Sequence, residues 1–367
     1  MRGHACPFDE RDRRYRGHQD DQQGKGQKTY GDTAQVNLMR PRAFYECTYD
    51  SQLKTLIVEE GRCCQCGTCT AVCPKNTDRR FVNPLVRASI ESQGVPSAVA
   101  TSCIRCKQVC PILNHVVSEG VGTHVGIWRA RAVDEQVASH AQDGGACTAF
   151  LESLDDYHIA AVTGTPGRPR STIGADPRAA MGSKYAATGS LALLPRSHER
   201  IAFVGLPCQL MGLAHAQDIG LLPEVSLRIG LFCTNAFHHE RLNERLATLG
   251  IDADDVDKMQ IHRELAITLK DGTKRQVKLS ELEGCAVDGC AYCTDFVCHN
   301  CDISFGSAGT GDGYTTVVVR TRKAAGLFER AVEKKYIVAD DDVVVADIEL
   351  QQERKLTRGE HGKDNRN

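Results

Sequence analysis

The sequence has no run of apolar residues approaching the ~18 that a membrane-spanning helix needs, so no transmembrane segment is expected. It has no basic excess either: 45 Lys and Arg stand against 47 Asp and Glu, for a formal net charge of −2. A nucleic-acid binder needs a basic face, and an electrostatically held membrane protein needs a polybasic cluster, so neither class is expected. Residues 1–28 lack the apolar stretch of a secretory signal, and the expectation is a cytoplasmic chain. The patterns GxxxxGK[ST], HExxH and GxSxG are also absent, which removes support for nucleotide hydrolysis, zinc proteolysis and esterase chemistry. Asp252 to Asp257 lacks the mid-loop glycine of a calcium loop and reads as a solvated acidic turn.

What the chain has in quantity is cysteine, 18 in 367 residues. A chain this long buries a hydrophobic core without needing disulfides. Disulfides are rare in a reducing compartment, so metal binding is the default role for so many thiols.

Cys63, Cys66, Cys69 and Cys73 are spaced C-x2-C-x2-C-x3-C and are followed by Pro74, the bacterial ferredoxin run. Two-residue gaps let a tight loop wrap three thiolates around one cubane. The fourth cysteine, with its proline, leaves that loop and reaches the other cluster of a two-cluster ferredoxin. Zinc sites pair two C-x2-C knuckles at longer separation and match this run poorly. Cys103, Cys106, Cys110 and Pro111 repeat the run with Ala100 in the first position. The crossover rule assigns Cys63, Cys66, Cys69 and Cys110 to one cluster. Cys73, Cys103 and Cys106 are left with a second that is one ligand short, open to Cys64, to Cys47 or to a three-iron form.

Residues 120–340 alternate strand-like and helix-like patterns, which predicts a layered α/β domain. Strands are expected over 123–131, 159–163, 201–206, 227–232 and 315–319. Helices are expected after Gly145, over 209–216 and over 323–335. Asp271-Gly272 between two apolar runs predicts a hairpin. Cys208 follows Pro207 at a strand-to-helix junction, where a helix N-terminus favours thiolate, and Cys233 ends the next apolar strand. Parallel neighbouring strands would bring these two to one sheet edge, beside Cys290 and Cys293 of a C-x2-C pair. Buried structural cysteine is the plainer alternative. Cys298 and Cys301 extend the pattern to C-x2-C-x4-C-x2-C, which leaves zinc open. Gly306, Gly309, Gly311 and Gly313 precede a strand rather than a helix, against a dinucleotide fingerprint. Gly144, Gly145, Ala146, Cys147 and Thr148 precede a helix whose amides could hold a phosphate. Gly182, Ser183, Lys184 and Tyr185 offer a hydroxyl, a cation and a ring, or only a surface turn.

Several motifs stand in a fixed order: Gln142-Asp143-Gly144-Gly145, Gly182-Ser183-Lys184-Tyr185, Val204-Gly205-Leu206-Pro207-Cys208-Gln209 and Gly230-Leu231-Phe232-Cys233. Cys290-Ala291-Tyr292-Cys293-Thr294-Asp295-Phe296, Asp302-Ile303-Ser304-Phe305-Gly306 and Val319-Arg320-Thr321 follow. This order resembles the beta subunit of coenzyme F420 hydrogenase/dehydrogenase, a flavoprotein family, over residues 60–335. The resemblance implies a mixed α/β fold: a flavin-binding mixed sheet with flanking helices, here joined to a small N-terminal ferredoxin-like domain. With the composition it divides the chain into an extension over 1–50, a 4Fe-4S domain over 51–117, an FAD and iron–sulfur domain over 118–340 and a charged tail over 341–367, whose end, Gln351 to Asn367, is expected to fray. It also implies FAD lined by Gly144, Gly145, Ala146, Thr148, Ser183, Lys184 and Tyr185 with Arg320 nearby, and a 4Fe-4S cluster on Cys208, Cys233, Cys290 and Cys293. Two or three 4Fe-4S clusters are then expected in all. The implied activity is an oxidoreductase passing electrons from reduced coenzyme F420, a deazaflavin, through FAD and the clusters to a redox partner protein or complex. A homo-oligomer is compatible with that role. A ferredoxin-fed FAD and iron–sulfur reductase of a small organic or tetrapyrrole substrate, and a non-catalytic electron-transfer subunit, are the alternatives. Cys298, Cys301 and Ala100 depart from the family pattern.

Overall fold

Thr315–Val319, two threonines and three valines, forms a strand buried on both faces: Val317 and Val319 enter one hydrophobic cluster and Val318 another. Side chains branched at Cβ suit a pleated surface, and alternation along the strand sends neighbours to opposite faces. A strand apolar on both faces needs cover on both sides, which sets the layering of the whole molecule.

The computed structural model describes residues 57, 60–72, 105–194 and 200–364. In chain order the strands are β1 (Gly126–Ala132), β2 (His158–Thr163), β3 (Arg170–Ile173), β4 (Ile201–Gly205) and β5 (Val225–Leu231). They continue with β6 (Val256–Ile261), β7 (Glu264–Leu269), β8 (Lys274–Lys278), β9 (Ile303–Gly306), β10 (Thr315–Val319) and β11 (Ile337–Asp340). The α-helices are α1 (Thr68–Ala71), α2 (Arg105–Gln108), α3 (Glu135–His140), α4 (Ala146–Glu152), α5 (Pro207–Asp218), α6 (His239–Thr248), α7 (Arg322–Glu333) and α8 (Val345–Asp364).

Eight strands form one mixed sheet in the order β11-β1-β10-β9-β5-β4-β2-β3. Strands β2, β4, β5 and β9 run parallel, and β3, β10, β1 and β11 join antiparallel. Strands β6, β7 and β8 make a separate antiparallel sheet, with the expected Asp271-Gly272 turn between the last two. Gly272 has φ +83° there, a left-handed conformation that glycine adopts freely. One face of the large sheet is covered by α3, α4 and α7, through Val137, Phe150 and Phe328 among others. The other face packs on α5 through Leu210 and Leu213.

Val72 and Val109 share that second cluster with Phe203 and Leu210, so the described part of the ferredoxin-type segment has a common core with the sheet. Glycines permit the approach. A Cβ on Gly212 would stand 2.2 Å from Thr68 Oγ1, and one on Gly289 would stand 2.4 Å from the Cys63 carbonyl carbon.

The stretch expected as a fraying charged tail is instead the 20-residue helix α8. Its packed face is Ile348, Gln352, Lys355 and Gly359, which recur at helical spacing but include one apolar side chain. Gln352 fixes the helix: its Nε2 donates to Ser118 O (3.0 Å) and Thr294 O (2.8 Å), and its Oε1 accepts from Phe296 N (2.8 Å). No helix of the described residues is long and apolar enough to cross a membrane.

Candidate functional site

In the parallel pair β4 and β5, Gly205 lies opposite Gly230, so the chain leaves both strands at the same sheet edge. That register carries Cys208, in the first turn of α5, and Cys233, just past β5, to one place. The single turn of 3-10 helix over Asp288–Tyr292 brings Cys290, and Cys293 follows it. The four thiols lie within electrostatic reach of one another, and Cys208, Cys233, Cys290 and Cys293 form no disulfide. Burial pushes Cys233 and Cys293 up, and raises Cys290 to about 11. The Cys290 sulfur accepts from Ala236 N at 3.5 Å.

A second nest is built by the ferredoxin-type loop. Gln65 (φ +57°) and Gly67 (φ +82°) turn the backbone sharply between its cysteines. Cys69 is pushed well up by burial and by the neighbouring Cys66, Cys63, Cys110 and Cys106. Cys110 is raised to about 11, again by burial first. The set assigned by the crossover rule, Cys63, Cys66, Cys69 and Cys110, is therefore gathered, with Cys106 at its side. Cys73, Cys103 and Ala100, and also Cys6 and Cys47, lie outside the described residues.

Cys64 stands between the nests. Its buried thiol is in hydrogen-bonding contact with Cys208 on one side and Cys66 on the other, which drives it well up. That contact is the main cause holding Cys66 down to about 7, aided by Thr68 and opposed by burial. Cys64 thus faces both the main sheet, through Cys208, and the ferredoxin-type nest, through Cys66. Arg62 also lies over the Tyr292 ring, 5.4 Å from its centroid, and clamps the loop onto the turn that carries Cys290.

Both nests fit iron–sulfur clusters in the chemistry of their donors. Among the described residues no three His, Cys, Asp or Glu side chains are gathered for a single metal ion. A four-iron cluster is larger than one ion and sits between its thiolates, so it needs a looser ring of sulfurs. Crowded buried thiols resist ionisation, and a bound metal core removes that penalty. Lys355 gives an independent sign of missing negative charge. It is 3% exposed, and its Nζ donates to Cys233 O (3.1 Å) and to Thr234 O. Burial pulls its pKa down, but Cys293, Cys233 and Cys290 outweigh that and leave it raised. A buried ammonium calls for a counter-charge, and the thiolates of the sheet-edge nest supply it.

The two C-x2-C pairs part company. Cys298 and Cys301 hydrogen-bond each other inside the hydrophobic cluster on α5, against Gly230. They are turned from Cys290 and Cys293, and a joint zinc site finds no support. Cys298 holds φ +64°, fixed by Asp295 Oδ1 accepting from its N–H at 2.8 Å.

The glycine loop and the Ser183–Tyr185 turn meet at Gln142. Its Oε1 accepts from Ser183 Oγ (3.1 Å) and from Tyr185 Oη, and Tyr185 Oη in turn accepts from Ile261 N at 2.8 Å. Gly144 and Gly145 have φ +64° and +72°, and a Cβ on either would come within 2.9 Å of backbone. Their lack of side chains lets the loop seat against β10 and α3. Asp143 Oδ2 is buried without a hydrogen-bond partner, and burial raises its carboxyl pKa. An open acceptor beside the Ser183 hydroxyl fits a polar cofactor. Lys184 is differently placed: its Nζ donates to Ala180 O (2.9 Å), Met181 O and Gly182 O (3.1 Å), all on its own turn. Arg320 is also engaged elsewhere, donating to Val121 O (2.7 Å), Thr123 O, Val297 O and Cys298 O (each 3.2 Å). It closes the Cys298 turn and stands apart from the glycine loop.

Residues 198–343 match the family described as the C terminus of the coenzyme F420 hydrogenase/dehydrogenase beta subunit. The coenzyme F420 hydrogenase subunit beta of Methanothermobacter thermautotrophicus is 30% identical over 233 residues, 58% of this chain and 83% of that protein. The chain belongs to the coenzyme F420 hydrogenase/dehydrogenase beta subunit family. The coenzyme F420-dependent sulfite reductase of Methanocaldococcus jannaschii is 31% identical over 331 residues, 82% of this chain. The chain spans only 50% of the length of that reductase. A chain in a xenon derivative of the F420-reducing NiFe hydrogenase complex from Methanosarcina barkeri shares the fold. Its TM-score is 0.62 at 22% identity, covering 68% of this chain and 95% of that one.

The range that matches this beta subunit family includes Cys208, Cys233, Cys290, Cys293 and Arg320. The ferredoxin-type run, the glycine loop and Lys355 lie outside it. Lys355, Gln352 and the bridging position of Cys64 are the features that motif reading missed. The signal for the first two was the helical spacing of a polar face.

Proposed function

We propose that this beta-subunit-family chain is an iron–sulfur flavoprotein oxidoreductase that moves electrons between reduced coenzyme F420 and a redox partner protein. The observation that carries the proposal is the juxtaposition of two cysteine nests joined through the Cys64 and Cys208 thiols. Cys63, Cys66, Cys69 and Cys110 would hold one 4Fe-4S cluster, and Cys208, Cys233, Cys290 and Cys293 another. A third is proposed on Cys73, Cys103 and Cys106. When bound, FAD accepts a hydride from the deazaflavin and releases electrons singly to iron–sulfur clusters.

The chain's own contribution is placement. The Gly144–Thr148 loop and Ser183 would line the FAD, with Gln142 and Tyr185 tying that loop to β6. Asp143 Oδ2 would accept from a cofactor hydroxyl or ring N–H. Cys64, Arg62 and Gly289 keep the two nests in contact. A cleft of about 570 Å3 beside Cys290, lined by Gly61, Asn235, Tyr292 and Arg358, gives a partner protein an approach to the sheet-edge nest. The names of the relatives support F420 as the substrate: the sulfite reductase and the hydrogenase beta subunit are both described by it.

The test is anaerobic purification followed by iron analysis, flavin extraction and mixing with reduced F420 and a dye acceptor. Bound FAD, iron for at least two clusters and dye reduction are expected. Protein without flavin, or without turnover of the deazaflavin, would remove the reading.

A further inference from the structure

We propose that the Lys355 ammonium sets the reduction potential of the cluster carried by Cys208, Cys233, Cys290 and Cys293, and so the direction in which electrons leave it. The proposal rests on the cluster reading above and names a residue for one of its properties.

Three features of the structure support it. The cation is enclosed: Lys355 is 3% exposed, so water screens it little. It is also unneutralised. Two of its hydrogen bonds go to the uncharged carbonyls Cys233 O and Thr234 O, and no carboxylate is paired with it among the described residues. Finally, it is held. Gln352, one turn earlier, binds Ser118 O, Thr294 O and Phe296 N. Gly359, one turn later, lets α8 lie so close that a Cβ there would be 2.9 Å from Cys293 O. The ammonium is thus fixed against the backbone of one nest cysteine and within reach of the sulfurs of Cys293, Cys233 and Cys290.

The consequence follows from charge. Reduction adds an electron to a cluster whose thiolates already make it anionic. A fixed buried cation stabilises the reduced form more than the oxidised one, and the potential rises. The N–H of Ala236 on Cys290 Sγ acts in the same sense. Arg358 also donates to Thr234 O, at 2.7 Å, and, half-buried, it adds a second positive charge that acts in the same sense as the lysine. At the ferredoxin-type nest the larger influences on Cys69 and Cys110 are burial, neighbouring cysteines and, for Cys110, backbone amides. The lysine's field thus acts on the sheet-edge cluster and makes that cluster easier to reduce than it would be without the buried charge.

The experiment is a redox titration followed by electron paramagnetic resonance on the full chain, isolated anaerobically with its clusters. It compares wild type with Lys355→Met, Lys355→Gln and Lys355→Arg. In the two neutral variants one cluster is expected to move to a more negative midpoint. The other clusters, iron content and flavin content should stay at wild-type values. Lys355→Arg should restore the wild-type midpoint. Unmoved midpoints in a neutral variant that retains its iron would overturn the proposal. Loss of iron from both neutral variants, with retention in Lys355→Arg, would make the lysine a structural clamp and overturn it equally. The cluster reading fails by a separate result, an iron content unchanged by Cys233→Ser, which takes the proposal with it.

Discussion

The Cys64 thiol lies close enough to the Cys208 thiol to be pushed up by it, so the ferredoxin-type loop and the carboxyl edge of the main sheet meet through these two cysteines. Two residues on, Cys66 belongs to the first nest, and Cys208 belongs to the second. Clusters held by these nests would be neighbours across Cys64. Cys64→Ala is expected to leave iron content unchanged, the outcome for a spacer between the nests rather than a ligand. It should slow electron equilibration between the clusters several-fold in stopped-flow experiments. Cys66→Ser should lose iron outright. Loss of a cluster from Cys64→Ala would instead make it a ligand.

Gly289 is where the loop presses on the Cys290 turn. A Cβ there would sit 2.4 Å from Cys63 C and 2.5 Å from Arg62 O, both backbone atoms that cannot rotate away. Gly289→Ala should cost about 1–3 kcal/mol by overpacking, seen as a lower denaturation midpoint. The same variant should weaken magnetic coupling between the reduced clusters. An unchanged midpoint would mean the loop can lift off freely.

Tyr185 adopts φ +50° and uses one hydroxyl both to donate to Gln142 and to accept from Ile261 N. Tyr185→Phe should cost about 1–2 kcal/mol, since a buried backbone N–H loses its acceptor. Flavin per chain should fall as the glycine loop loosens from β6. Full flavin occupancy in the variant would place the cofactor elsewhere.

Lys184 is held down to about 8, from 10.5, because burial disfavours its charge. Between those values the folded chain has released this proton while the unfolded chain still holds it. The unfolded state binds more protons there, so this group makes stability rise with pH from about 8 to 10.5. Below pH 8 its penalty is constant. In denaturant titrations across that range, wild type should gain stability relative to Lys184→Met. A constant difference between the two would contradict the buried charge.

Much of the sheet was readable from the chain because its signals are local. Thr315–Val319 is β-branched throughout, and Asp271-Gly272 marks the hairpin between β7 and β8. The meeting of Cys208 and Cys233 followed from two apolar runs taken as parallel neighbours, which β4 and β5 are. Strands β3, β6, β9 and β11 were not expected, since short runs such as Arg170–Ile173 and Ile337–Asp340 carry no clear alternation. Helix α8 was missed for a different reason: the face it buries is made of Gln352, Lys355 and Gly359, so a search for apolar periodicity passes over it. Arg320 shows the limit of motif reading. Its guanidinium is taken up by Val121 O and Val297 O, carbonyls remote in sequence that only the fold brings near.

The most direct measurement is anaerobic mixing of the intact chain with reduced F420, followed by absorbance and low-temperature electron paramagnetic resonance. Oxidation of the deazaflavin should be matched by bleaching of flavin and by signals from at least two reduced clusters. Clusters that dithionite reduces but reduced F420 leaves oxidised would contradict the account.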